Sequence, residues 1–326
     1  MSNKIKKYNI PVFIPHEGCP HTCIFCNQKK ITGVETSVTP DDAKRIIREY
    51  LSFIPQNNRY VEVAFFGGSF TGLSIKMQRA FYEAANEYSG EIDGIRLSTR
   101  PDYINKEVLT LAKEYNVRTI ELGLQSADDE VLRLNEREHK FSDTVLASNM
   151  IKDSGISLGL QMMIGMYGSN PDKDYETALQ VADLNPACVR IYPTLTLRGT
   201  CLEKLYNNGN YTPYDMETAV ALTHKIMRVF EDKNIEIIRV GLHSDESLTE
   251  NSIVAGPYHP AFKELVLSKR RRDEIEAEII KNRLSDCVYE VYPPKDRVSE
   301  FVGHKRTNLE YFKQKYNIDL KITPRD

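Results

Sequence analysis

The chain has no apolar run long enough to span a membrane. The opening Met-Ser-Asn-Lys-Ile-Lys-Lys leads into a short apolar stretch that Pro11 and Pro15 interrupt, which excludes both a signal peptide and a span and makes a cytoplasmic protein the expectation. Positive charge is not in surplus either: 43 lysines and arginines against 46 acids leave a net charge of −3. No global field therefore draws the chain to nucleic acid, and any such contact must come from a local patch. There is no low-complexity segment and no internal repeat beyond an alternation of strand and helix. Three cysteines near the start have no fourth close by.

Those three, Cys19, Cys23 and Cys26, lie in Gly18-Cys-Pro-His-Thr-Cys-Ile-Phe-Cys-Asn27, and the next cysteine is Cys188. Thiolate is the soft donor that holds iron–sulfur units, and a four-iron cluster wants four ligands. Three thiolates in so short a run leave the fourth iron to an exchangeable small molecule. Zinc held by the cysteines with His16 or His21 is the competing reading, against which stands the habit of structural zinc to use paired knuckles. A structural disulfide is disfavoured inside cells. Cys188, Cys201 and Cys287 are isolated from one another and read as partly buried thiols without assigned chemistry.

With 326 residues and 41% hydrophobic content, one large domain with a smaller tail is expected, since barrels of roughly 200 to 250 residues often form a single domain. Short β-rich runs recur at Ile10 to Ile14, Val61 to Phe66, Ile95 to Thr99, Thr119 to Leu124, Ser157 to Ile164 and Cys188 to Thr194, separated by helical patterns. Thr39-Pro40-Asp41-Asp42 supplies a cap, a first-turn proline and two acids to the first helix. Right-handed crossovers curl six such units into an α/β fold, a partial (β/α)6 TIM-type barrel with functional loops at the carboxyl ends of its strands. We expect residues 1–200 to form this barrel, 201–284 to cap it on the substrate side, and 285–326 to make a small α+β extension. Ile235 to Gly241 is expected to close or extend the sheet, and Lys269 to Arg272 to form a solvated basic helix face.

The strand ends carry the polar chemistry. Gly67-Gly68-Ser69-Phe70-Thr71 pairs two glycines, which admit a close backbone approach, with two hydroxyls. Ser98 and Arg100 close the third strand, and the Arg100 fork matches a carboxylate. Gln125 and Gln161 sit at equivalent strand ends, and Tyr192 offers a ring on which a base could stack.

The C-x3-C-x2-C spacing, with Phe25 as the aromatic residue before the last cysteine, resembles the signature of the radical S-adenosylmethionine superfamily. That resemblance implies a [4Fe-4S] cluster on Cys19, Cys23 and Cys26, with S-adenosylmethionine on the fourth iron. It also implies that the reduced cluster, supplied by a donor such as flavodoxin or ferredoxin, cleaves the cofactor to a 5′-deoxyadenosyl radical that takes hydrogen from a substrate. The methionine amino group would be held at Gly67 and Gly68. Most members have a glutamate after the glycines; this chain has Ser69, which shifts the contact to backbone and Thr71.

Gly-Gly-Ser-Phe-Thr, Ser98 to Ile104, Glu121 to Ser126, Arg239 to His243 and Gly256 to Phe262 together look like the radical domain of the Elongator catalytic subunit. That subunit continues into an acetyltransferase domain, for which the residues from Arg270 to Asp326 are too few. The chain therefore resembles a stand-alone bacterial branch in which queuine lyase is one known activity. The expectation is a lyase acting on a modified purine-like base, with an Elongator-like tRNA-modifying enzyme and a non-catalytic RNA-binding protein as alternatives. Arg198, His243, Tyr258 and His259 are the expected substrate-side residues. Gly303-His304-Lys305-Arg306 resembles the G-x-x-G clamp of KH domains, but arginine at the second glycine argues against the match, and the preferred reading is a basic loop capping a helix.

Overall fold

The computed structural model describes residues 5–14, 18–19, 23–27, 38–242 and 252–325. Seven strands form one parallel sheet: β1 (Lys6–Ile14), β2 (Arg59–Gly67), β3 (Gly94–Thr99), β4 (Val117–Gln125), β5 (Ser157–Ile164) and β6 (Cys188–Pro193) lie in chain order, and Glu236–Val240, here β8, follows β6 at the edge. The sixfold expectation is thus extended by one strand. The two-residue β7 (Thr196–Leu197) pairs antiparallel with β9 (Ile253–Ala255), a ladder too short for sequence periodicity to reveal. The sheet is curled into a half-barrel, across whose foot the exposed Lys7 side chain on β1 reaches that of Glu236 on β8 at 3.5 Å.

Helices α1 (Pro40–Phe53), α2 (Ile75–Asn86), α3 (Lys106–Glu114), α4 (Asp129–Leu134), α5 (Phe141–Asp153) and α6 (Pro171–Asp183) cover the outer face. The first begins as its sequence dictates, with Thr39 and Asp42 satisfying each other's backbone N–H in a capping box and Pro40 in the first turn. Its buried Ala43, Ile47 and Leu51 share one core with Ile10, Val12, Val61, Val63 and Phe65. Alternate residues of each strand point the other way, into the lumen.

Helix α7 (Cys201–Asn207) and the long α8 (Met216–Asp232) precede β8, and α9 (Phe262–Asn282) leads to the tail. The tail comprises β10 (Val288–Val291), α10 (Val298–Val302), α11 (Thr307–Tyr316) and β11 (Asp319–Ile322), packed on the end of α9 through Ile275, Ile279, Phe312 and Ile318. The basic run on α9 is not a solvated face. Lys269 pairs with Asp273, Arg270 with Glu231, and Arg271 with Glu274 and Glu300, while Arg272 lies over the Tyr311 ring. These charges tie α8, α9 and the tail together. No described helix is long and apolar enough to cross a membrane.

Candidate active site at the barrel mouth

The cysteine segment follows β1 and docks on backbone. Gly68 donates its N–H to the Ile14 carbonyl at 2.8 Å, which seats the double glycine beside the end of β1. A Cβ at Gly18 would collide with the Ser69 carbonyl, and one at Gly72 with the Gly18 carbonyl. Glycine is required where these two loops touch. Farther along, Ile24 N–H reaches the Asn135 carbonyl at 3.4 Å, the Ile24 carbonyl accepts from Leu202 N–H at 2.8 Å, and Asn27 Nδ2 donates to the Arg198 carbonyl at 3.3 Å. Phe25 packs beside the Ile24, Leu202 and Tyr211 cluster. It anchors the loop from below.

The hydroxyls of Ser69 and Thr71 meet Thr99 at 2.8 and 2.6 Å, and Ser69 Oγ also accepts from Arg100 N–H. All three side chains are buried. They join the β2 loop to the end of β3, while the Ser69 backbone N–H faces the Cys19 sulfur. Burial, with the nearby Cys23, pushes the Cys19 thiol up; the Ser69 N–H, Arg137 and Arg100 oppose that shift.

Arg100 is already engaged. Its Nε and Nη2 grip Asp102 at 2.9 and 2.8 Å, and Nη2 also donates to the Arg137 carbonyl, leaving buried Nη1 without a partner. Burial works against ionising Asp102, yet Arg100 holds its carboxyl below the usual range. The fork that sequence reasoning reserved for a ligand thus belongs to Asp102. Arg137, which that reasoning missed, stands nearer the sulfurs: Nη1 donates to Cys23 Sγ at 3.3 Å, Nη2 to the Gly123 carbonyl, and buried Nε has no partner. Next to it His139 Nδ1 donates to the Arg137 carbonyl at 3.2 Å, and its Nε2 is also buried without a partner. Burial first and the Arg137 charge second push His139 down to about 4. The Asn135-Glu136-Arg137-Glu138-His139 run follows α4, and no periodicity marks it.

Gln125 and Gln161 do converge, each amide nitrogen donating to the other's oxygen at 3.1 and 2.7 Å. Gln125 has φ +69 at an irregularity of the β4–β5 register, a left-handed conformation uncommon outside glycine and asparagine. Below them a chain of charges crosses the lumen: Glu62 to Arg96 at 2.9 Å, Arg96 to Glu121 at 2.8 Å, and Glu121 to Arg190 through both oxygens. Arg190 lies over the Phe66 ring and reaches Tyr192 Oη at 3.4 Å. Burial opposes the charge on Glu121, but the two guanidiniums hold its carboxyl below the usual range. Period-two placement of these charges in β2, β3, β4 and β6 was the available signal. Ser98 is half-buried on the same face as Arg96.

The expected substrate-side residues are spread more widely. Arg198 is exposed, with Glu203 4.0 Å from its Nη1. Tyr258 packs near Leu195, Leu197 and Ile253, and His259 Nδ1 accepts the Ala261 N–H while its ring meets His304. His243 lies outside the described residues, as do His16 and His21.

The donor set fits an iron–sulfur cage. Cys19, Cys23 and Cys26 present three thiols on one segment, the soft donor type that iron–sulfur units take. The unpartnered, buried Arg137 Nε and Arg100 Nη1 beside these sulfurs suit an anionic ligand. Two surface hollows, one between α8 and α9 and one at the amino-terminal ends of β5 and β6, lie away from this chemistry.

The profile of the Radical SAM superfamily matches residues 13–181, and that of the Radical_SAM C-terminal domain residues 186–272. The chain is 28% identical over 272 residues to a tRNA uridine(34) acetyltransferase of Dehalococcoides mccartyi, covering 69% of this chain and 59% of that protein. It is 24% identical over 316 residues to human Elongator complex protein 3, covering 82% of this chain and 56% of the other. The chain thus spans somewhat over half the length of these relatives. Among solved structures, the archaeal Methanocaldococcus infernus Elp3 superposes with a TM-score of 0.66 at 21% identity, over 83% of this chain and 64% of that one, a likeness of fold.

Proposed function

The chain belongs to the radical SAM superfamily, and from that premise we propose that it is an Elongator-like enzyme that modifies a wobble uridine of tRNA. The alignment along 82% of the chain with Elongator complex protein 3, together with the tRNA uridine named in the Dehalococcoides relative, carries this reading. These relatives favour it over the free modified base expected from the stand-alone branch and the acidic charge balance, and they lend the lyase assignment no support.

Cys19, Cys23 and Cys26 would hold three irons of a [4Fe-4S] cluster and leave one for S-adenosylmethionine. When bound, that pair supplies a carbon radical that removes hydrogen from the substrate. Arg137 would meet the cofactor carboxylate through Nε, and the backbone at Gly67 and Gly68 would face its amino group. Ser69, Thr71 and Thr99 fix the loop that carries those backbone groups. Gln161 gives its second amide hydrogen to the Met162 carbonyl, whereas Gln125 keeps one beyond the mutual bonds, which suits a polar group of the adenosine. Tyr192 and Ser98 stand on the lumen side, where the charged floor excludes an apolar occupant. Such a site must exclude water around the reacting atoms, and β7, β9 and the residues near Tyr258 would cover it. An external electron donor such as flavodoxin or ferredoxin would reduce the cluster.

The test is anaerobic incubation of reconstituted protein with S-adenosylmethionine and reductant, in the presence of either bulk tRNA or free queuine. Release of 5′-deoxyadenosine that depends on tRNA, and not on the free base, is expected. Turnover with the free base and none with tRNA would reinstate the lyase reading.

A further inference from the structure

The tail beyond residue 272 lies outside both matched profiles, and its architecture carries an assignment of its own. Its order is strand, helix, four-residue loop, helix, strand: β10, α10, Gly303 to Arg306, α11, β11. The two strands pair in parallel, Val288 opposite Asp319 and Val291 opposite Ile322.

The loop occupies the place of a G-x-x-G clamp, and Arg306 at the second glycine argued against that match in the sequence. The backbone reverses the objection. Arg306 has φ +66 and Lys305 φ +51, so the chain takes the left-handed conformation that glycine serves most easily, with arginine in its place. Gly303, at φ +78, is irreplaceable: a Cβ there would stand 2.7 Å from Thr307 Oγ1 and 2.9 Å from the Asn308 nitrogen. Asn308 Nδ2 is buried and donates to the Phe301, Glu300 and Ser268 carbonyls, which pins the loop to α10 and α9.

Charge is distributed selectively around this loop. The bases on α9 are held by Glu231, Asp273, Glu274 and Glu300. His304, Lys305 and Arg306 are exposed, and Lys305 and Arg306 make no ion pair among the described residues. The His304 ring meets His259 at 4.8 Å, edge to face. His259 follows β9, and the β7–β9 ladder borders the cysteine segment through Arg198, whose N–H bonds the Ser252 carbonyl and whose own carbonyl accepts from Asn27. The cationic loop therefore stands beside the rim of the barrel mouth.

We propose that Gly303 to Arg306 clamp the phosphate backbone of single-stranded RNA and lead it toward that mouth. The left-handed turn presents loop backbone at the surface, and Lys305 and Arg306 neutralise successive phosphates. Base identity is not read by such a clamp. This deepens the tRNA reading and rests on it for the direction of the RNA, not for the binding itself.

The test uses the full chain, anaerobically, with two probes: bulk tRNA and an unmodified single-stranded oligouridine, titrated over a range of salt. Lys305→Glu combined with Arg306→Glu is expected to make the log–log salt dependence shallower by about 1.4, and Arg306→Gly, which keeps the turn, by about 0.7. Lys113→Glu, on the barrel's outer layer, is expected to change nothing, and circular dichroism checks that each variant is folded. Unchanged slopes in the loop variants, or no binding of either probe by the wild-type chain, would overturn the clamp. Normal clamp behaviour without tRNA-dependent turnover would overturn the proposed function and leave the clamp standing.

Discussion

Arg137 donates from Nη1 to Cys23 Sγ across 3.3 Å, joining residues 114 positions apart. The same guanidinium bonds the Gly123 carbonyl and keeps a buried Nε without a partner. A planar, always charged group so placed holds a cysteine sulfur on one side and offers a donor to an anion on the other.

Arg137→Lys retains the charge and loses the fork. A hydrogen bond to a charged group contributes about 1.5–3 kcal/mol, so S-adenosylmethionine should bind roughly ten- to a hundredfold more weakly. Equilibrium binding measures this, while iron and sulfide content should match the wild type. Undiminished affinity would exclude Arg137 from the carboxylate role.

Glu121 joins Arg96 to Arg190 in the lumen. Glu121→Gln leaves buried cationic charge undercompensated and should cost about 3–5 kcal/mol in urea unfolding. Glu130→Gln removes an exposed pair with Arg133, screened by solvent, and should leave stability nearly unchanged. Equal effects would mean that the lumen network is no more buried than the surface pair.

His139 is held neutral, its pKa lowered from 6.5 to about 4 by burial and by Arg137. Its imidazole is depressed in the folded chain, so the unfolded state binds the extra proton between those values. Its contribution is present above pH 6.5 and lost as pH falls toward 4. His139→Gln should flatten the fall in unfolding free energy across that window, measured by urea titration at successive pH values. An unchanged slope would count against a neutral buried ring.

Gly72→Ala places a methyl against the Gly18 carbonyl, whereas Gly90→Ala meets nothing within 4 Å. The first should lower iron per chain after anaerobic reconstitution, and the second should leave it unchanged. Full iron loading in Gly72→Ala would show that the two loops need not touch to present the sulfurs.

Much of the fold was legible because its signals are local. Thr39, Pro40 and Asp42 announced α1 through capping chemistry that acts within four residues, and the apolar runs gave β1 to β6 because buried parallel strands are apolar on the helix-facing side. The basic run at Lys269 to Arg272 misled, since charge read along the chain says nothing of Glu231 and Glu300, which neutralise it from other elements. Equivalent strand positions suggested an inward pair of Gln125 and Gln161, and their side chains do meet. Arg100 was assigned to a ligand from its guanidinium alone; Asp102 is visible two residues on, but that the fork closes on it and leaves Nη1 free is set by the folded loop.

By itself the sequence determined the trio of thiols, the strand-and-helix alternation and the glycines that let two loops touch, all consequences of spacing and backbone freedom over a few residues. Only the tertiary structure decided which arginine stands beside Cys23, which cations are already matched, and that Arg306 adopts the backbone of a glycine. The physical reason is that partnership and burial are properties of distance in space. Segments more than a hundred residues apart acquire them only when the sheet curls and its loops meet at one rim.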